Sequence, residues 1–393
     1  MSLAADVSLS PHAPVATRAP TLDALGAEFV PGADWDAAMA GFDEACQEQL
    51  SVFAAHRWPS ARQEAVLFRR HGRVVGGTLM LIQKLPLGLA SMAVTKWGPL
   101  LAESTASDAE ALYAGMIDWL VAEYAERRGM MLSVLPAAST TPHNARREHL
   151  ATRGFRAGSE LLFPSRYLVR LGIPAEEQRR SLAQKWRYHL NRSEKQNLVF
   201  EHAPRERIGE FHALYTAMTD RKQFSDHSAY ETLEPLMRMQ PASLRPELFF
   251  VRQGEELVGG AVVFTAGKRA VYLYGATNER ALPLRAGYFL HWHIIDWLGR
   301  NTGAEWYDLG GTDGYQGLHQ FKKGMVGSAG IIEPVPPVAN YAARPLAFIM
   351  GNGAFRLRDS YHAARRAFDA WRNPKARPDQ RREGESRAET GSP

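Results

Sequence analysis

Two stretches of this chain are variations on one pattern. Residues 67–77, LFRRHGRVVGG, and residues 249–260, FFVRQGEELVGG, each run an apolar strand into an arginine and a glycine-bearing turn. A second strand then ends on a glycine pair. From Gly76 to Gly259 is 183 residues, too long a period for a solenoid and about one domain in length. With 393 residues the chain has room for two such domains.

The order of flanking elements supports a duplication. In the first half, helical spacing over Trp35–Phe53 precedes a hairpin over Ala65–Leu81 that turns at His71-Gly72. A strand at Ala90–Val94, a helix over Ser107–Arg128 closed by Gly129, a buried strand MLSVLPA and a short helix closed by Gly154 follow. In the second half, helical periodicity covers Ala175–Gln196 and Pro204–Met239. A three-strand meander ending at Tyr272–Asn278, a helix over about Leu284–Asn301 and the strand AEWYDLGG come next.

Hydrophobic residues at 45% and charged residues at 23% describe a soluble globular protein. The single cysteine, Cys46, excludes an internal disulfide framework and a cysteine-cluster metal site. No run of 18 apolar residues is present, and the N-terminus lacks the basic and apolar regions of a secretory signal, so a cytoplasmic location is expected. The net charge of +5 is concentrated in 344–382, with ten basic against three acidic side chains. A near-neutral body disfavours DNA as a partner. The basic segment carries Phe355, Tyr361, Phe368 and Trp371 on an amphipathic pattern that suits docking on the protein itself, an anionic membrane surface at its inner face, or RNA. The expected division is a disordered lead (1–22), a first domain (23–165), a second domain (166–327), a basic helical tail (344–375) and a disordered end (376–393). Whether 328–343 returns to the first domain is left open.

The common catalytic motifs are missing. The sequence has no GxxxxGK[ST] phosphate loop and no HExxH; His291 and His293 flank Trp292 and point to different helix faces, so no metal site is expected. Basic, aromatic and glycine-rich segments remain. RRSLAQKWRYHLNRSEK (179–195) holds six basic residues against one acidic; Leu182, Trp186 and Leu190 make an apolar stripe, while Arg180, Arg187 and Asn191 share another face suited to phosphate. YLYGATN (272–278) runs toward Arg285, Gly287 and Tyr288 at a helix start, an arrangement that binds anions through backbone N–H groups. It resembles only part of the coenzyme A loop pattern of GNAT acetyltransferases, since Phe289 stands where that pattern has a small residue. Strand alternation places Tyr272 and Tyr274 on one face.

The combination of KWRYHLNRSEK, YLYGATN and YDLGG…GL…FKKG (307–324) resembles the FemABX family of peptidoglycan aminoacyltransferases. The resemblance implies an α/β fold of two tandem GNAT-like domains facing a shared cleft, with a last strand, here Gly330–Val338, crossing back to the first domain. It implies transfer of an amino acid from aminoacyl-tRNA, as donor substrate rather than cofactor, to an amino group of a nucleotide- or lipid-linked cell-envelope precursor. On this resemblance Phe321 and Lys322 lie near the transferred ester, with Lys323 as the other register of the same element. Tyr274 and Asp308 surround the reacting amine, and Arg187 meets a diphosphate, with Arg285 as a further substrate-binding residue. Two alternatives stand beside it: an acyl-CoA-dependent N-acyltransferase acting on a polysaccharide or small amine, and an inactive double-GNAT binding module.

Overall fold

The structure, a computed structural model, describes residues 25–85, 88–141, 143–222 and 229–372. The expected lead and disordered end lie outside the described residues, as do the side chains of Phe368 and Trp371.

In the first half, β1 (Gly26–Val30), α1 (Gly32–Met39) and α2 (Ser51–Arg57) precede the hairpin of β2 (Arg62–Arg70) and β3 (Arg73–Lys84). Then come β4 (Ser91–Lys96), β5 (Leu100–Leu101), α3 (Ala109–Leu120), β6 (Met131–Leu135), α4 (Ala145–Thr152) and β7 (Arg156–Ala157). In the second half, β8 (Ser165–Arg170), α5 (Ala175–Ser181), α6 (Gln184–Ser193), β9 (Leu198–Ala203), α7 (Ile208–Lys222) and α8 (Leu233–Met237) lead into the meander. Its strands are β10 (Glu247–Gln253), β11 (Glu256–Phe264) and β12 (Arg269–Thr277). They are followed by α9 (Ala281–Leu284), α10 (Ala286–Asn301), β13 (Trp306–Asp308), α11 (Gln316–Val326), β14 (Ile331–Pro334), β15 (Ala339–Tyr341) and α12 (Pro345–Arg372).

The two sheets match place for place. One runs β1-β2-β3-β4-β6-β15-β7 and the other β9-β10-β11-β12-β13-β8-β14. Each has four antiparallel strands followed by one parallel pair, β4 with β6 and β12 with β13. The duplicated hairpins even share an irregularity. Phe68 pairs with Gly76 but Arg69 with Val74, and Val251 pairs with Gly259 but Arg252 with Leu257. Val75 and Val258 are thus the extra residues of equivalent β-bulges, each just before a glycine pair. In the first sheet the glycine is sterically required, since a Cβ on Gly77 would come within 2.4 Å of the Trp35 ring.

The sixth place of the first sheet is filled from the second half. β8 follows β7 directly in sequence yet pairs with β13 and β14, and β15 follows β14 yet pairs with β6 and β7. The segment expected to cross back, Gly330–Val338, therefore divides. Ile331–Pro334 stays in the second sheet and the returning strand begins at Ala339.

Three helical readings are corrected. Trp35–Phe53 is not one helix: α1 ends at Met39 and α2 starts at Ser51, with only a short 3-10 turn at Gln47–Gln49 between them. Ala175–Gln196 is not one helix, because Leu182 and Ala183 are extended between α5 and α6. The Ala183 N–H goes to the Gly324 carbonyl (3.0 Å) and the Ser181 carbonyl accepts from Ser328 N–H (2.8 Å), so contacts with the α11 segment replace the helical ladder. Pro204–Met239 likewise divides into α7 and α8, with 223–228 outside the described residues.

The halves share a core. Trp35, Met39, Leu50 and Phe53 of the first pack with Leu236, Met239, Phe264 and Val271 of the second. The β11–β12 turn carries this contact: Lys268 N–H donates to the Asp43 carbonyl (2.6 Å), and Lys268 Nζ bridges Asp43 (3.0 Å) and Glu305 (3.6 Å). Among the described residues no helix is long and apolar enough to cross a membrane.

Candidate active site

In each sheet the parallel pair ends in a fork, where neighbouring strands part and leave backbone groups for a ligand. The first fork closes at Trp97, held at φ 67° with its N–H on the Leu135 carbonyl (2.7 Å). A buried network fixes the strand beneath it. Gln49 Nε2 donates to the Lys96 carbonyl (2.6 Å) and Gln49 Oε1 accepts from Leu79 N–H (2.7 Å). The second fork opens after Val271 and Asp308, the last pair of β12 and β13. The two forks meet, because the Arg166 guanidinium lies 4.8 Å from the centre of the Trp97 ring.

Asp308 is fully buried at that junction. Arg166 contacts its carboxylate through Nε (3.1 and 3.2 Å) and Nη2 (2.9 Å), and Oδ1 also accepts from Gly310 N–H (2.9 Å). That last bond shapes the Leu309-Gly310-Gly311 turn, in which Gly310 has φ 74°. Lys322, 6% exposed on α11, donates from Nζ to the carbonyls of Leu309 (2.6 Å) and Gly311. Burial and the Arg166 cation push the Lys322 ammonium down to about 8. An ammonium has three donors, so one N–H remains for a substrate oxygen.

His291 faces the lysine, and Phe321, Tyr272 and Tyr307 pack around that histidine. Phe321 packs on Tyr288 (4.9 Å between ring centres), Trp186 (6.0 Å) and His291 (5.6 Å). Burial and the Lys322 cation push the His291 imidazolium down to about 3, so His291 is neutral at physiological pH, with Nδ1 3.2 Å from the Tyr307 hydroxyl. Arg269 donates from Nη2 to the Ala138 carbonyl (2.9 Å) across the domain boundary, while Nη1 is buried without a partner. Arg166, Arg269 and Lys322 against Asp308 give the junction a positive balance that suits an anionic substrate. Burial pushes the Cys46 thiol up to about 12, which leaves it protonated and a poor nucleophile. Among the described residues no cluster has the donors of a metal site.

Of the residues singled out from the sequence, Lys322, Asp308 and Phe321 come together here, and Lys323 is exposed on the same helix. Tyr274 does not join them. The bulge that pairs Val262 with Tyr274 but Val263 with Tyr272 puts the two tyrosines on opposite faces of β12. Tyr272 lies over Gly275, where a Cβ would come within 1.5 Å of its hydroxyl, and packs on His291. The Tyr274 hydroxyl donates to the Ala229 carbonyl (2.6 Å) on the other face. Tyr274→Phe is therefore expected to lower stability by about 1 kcal/mol and leave kcat unchanged, as thermal denaturation beside a rate assay will show.

Arg187 serves the backbone. Its Nη1 donates to the carbonyls of Arg180 (2.6 Å) and Leu182, closing the C-terminal end of α5. Arg180 sits on α5, before the break, so it does not share a helix face with Arg187 and Asn191. Arg285 adopts φ 57° immediately before α10, with Nε buried and without a partner. Arg166, Arg269 and Trp97 were not legible as site residues, because nothing in their local sequence marks strand ends that meet only after folding.

Residues 177–323 match the family model described as an acetyltransferase (GNAT) domain. The second half is thus an acyltransferase domain, and the place-for-place match of the sheets makes the chain a tandem GNAT-like acyltransferase. The resemblance to the FemABX family holds at the level of the fold. The crystal structure of FemX superposes with a TM-score of 0.64 at 15% identity, over 83% of this chain and 100% of that one. L-PGS from Bacillus licheniformis follows at 0.51 and 13%, over 81% and 94%. The C-terminal domain of a putative lysylphosphatidylglycerol synthetase from Agrobacterium fabrum follows at 0.50 and 14%, over 82% and 96%. No curated protein sequence matches the chain.

Proposed function

We propose that this protein transfers an aminoacyl group from aminoacyl-tRNA to an amino group of a nucleotide- or lipid-linked cell-envelope precursor. The buried Lys322 ammonium at the junction of the forks carries the reading. An ester needs no protein nucleophile when the acceptor is an amine: the neutral amine attacks the carbonyl, the C–N bond forms, the C–O bond to the ribose breaks, and the proton lost by the amine nitrogen ends on the leaving ribose oxygen. Negative charge gathers on oxygen along the way, and a cation preorganised by two carbonyls stabilises it. Arg166 and Arg269 favour an anionic substrate, a description that fits both tRNA and a phosphate-bearing precursor. The fold likeness to FemX supports the acceptor class.

A second reading rests on Arg285. Its left-handed backbone leads into the 16-residue helix α10, and its unpartnered Nε is available to a phosphate there, as an acyl-CoA donor would require. Thermal shift separates the two donors, since a ligand stabilises the native state by mass action. Stabilisation by charged tRNA and by a nucleotide-linked muropeptide, with none by acetyl-CoA, is the expected result. Saturable stabilisation by acetyl-CoA alone supports the second reading, and no response to any donor supports a binding module.

A further inference from the structure

The 28-residue helix α12 uses one face to dock. Ala347 and Phe355 are buried, and Gly351 sits so close to the body that a Cβ would come within 2.2 Å of Met131 Cε. Asp359 accepts from Ser159 Oγ (2.6 Å) on the same side. Phe355 shares its cluster with Leu135 and with Ala138, whose carbonyl receives Arg269 at the active site.

The opposite face is apolar and uncovered. Leu346, Ile349, Leu357 and Tyr361, with Gly353 between them, recur at spacings of three and four residues and fall within about a third of the helix circumference. They are 55%, 68%, 71% and 62% exposed. Exposed Arg356 and Arg365 flank them, and residues 344–382 hold ten basic against three acidic side chains.

We propose that this face of α12 seats on an anionic phospholipid surface, with the four large side chains at the acyl boundary and the arginines among the headgroups. Charge decides between occupants. Two copies of so basic a helix repel each other across a shared apolar stripe, and an RNA backbone offers nothing to leucine and isoleucine. A bilayer with negative headgroups rewards both features at once. The proposal is independent of the donor and acceptor, because it rests on a surface away from Lys322 and Asp308.

The test is co-sedimentation of the full chain with vesicles of phosphatidylglycerol and phosphatidylethanolamine, beside vesicles of phosphatidylcholine. The expected result is binding to the anionic vesicles at least about tenfold stronger than to the neutral ones, weakening as salt rises. Ile349→Glu/Leu357→Glu is expected to reduce it about tenfold or more at an unchanged melting temperature, and Arg356→Glu/Arg365→Glu to reduce it several-fold. Failure to bind anionic vesicles, or equal binding by the Glu double variant, overturns the proposal. So does a dimer in light scattering that the Glu double variant dissolves, which would make a second copy the occupant. Loss of tRNA binding instead of vesicle binding overturns it in favour of RNA.

Discussion

Lys322→Ala is expected to lower kcat by about 10²–10³ with little change in KM for either substrate. The lysine is held from below by the Leu309 and Gly311 carbonyls, so its charge is in place before the substrate arrives and needs no reorganisation during reaction. It therefore acts on charge that appears only as the ester carbonyl is attacked. Because burial and Arg166 push the ammonium down to about 8 from an ordinary 10.5, it is present at pH 7 and disappears at higher pH. The rate through Lys322 thus falls on the alkaline side with a midpoint near 8. Lys322→Arg should remove that limb, since a guanidinium stays charged, even if its bulk lowers the rate overall. The same shift has a consequence for folding. The unfolded chain holds this proton more tightly than the folded one, so the contribution of this group to stability increases as pH rises from about 8 to 10.5. Below 8 the cost of burying the charge is fully present. An unchanged kcat in Lys322→Ala would remove the lysine from the mechanism.

Arg166→Ala is expected to give the largest loss of stability, about 3–5 kcal/mol, because it leaves the fully buried Asp308 carboxylate without its ion-pair partner. The Gly310 N–H still reaches Asp308, which favours the lower end of that range. The side chain also stacks on Trp97, so its loss loosens the contact between the forks as well. Thermal melting should show a drop of several degrees. A companion Asp308→Asn change should recover part of it by removing the stranded charge, a coupling that two independent sites would lack. If Arg166→Ala melts with the parent, the pair is not a structural element of the junction.

Much of the architecture was legible because duplication writes the same bulged hairpin twice. A bulged hairpin before a glycine pair is a local feature, and local features survive in sequence. The places of β8 and β15 were not legible in detail. Both are short, and their places are set by the gap each sheet leaves beside its parallel pair rather than by their own residues. The same division runs through the site. Asp308 and Lys322 belong to one continuous segment, the strand, turn and helix from Trp306 to Val326, so a motif can carry both. Arg166 and Trp97 come from distant strand ends and are joined only by the packing of two domains. Tyr274 misled because alternation assumes a regular strand, and one bulge reverses every side chain beyond it. Arg187 misled because a basic residue after a helix break has carbonyls to close before it has phosphates to bind.

The central claim is that acyl transfer from an aminoacyl ester to a cell-envelope amine takes place beside Lys322. The direct measurement is single-turnover transfer of label from charged tRNA to a nucleotide-linked muropeptide, run in parallel with labelled acetyl-CoA, for the parent and for Lys322→Ala. The account predicts transfer from charged tRNA that slows about 10²-fold or more in the variant, with no label moving from acetyl-CoA. Label moving from acetyl-CoA and not from tRNA would contradict it, as would tRNA-dependent transfer at the same rate in both proteins.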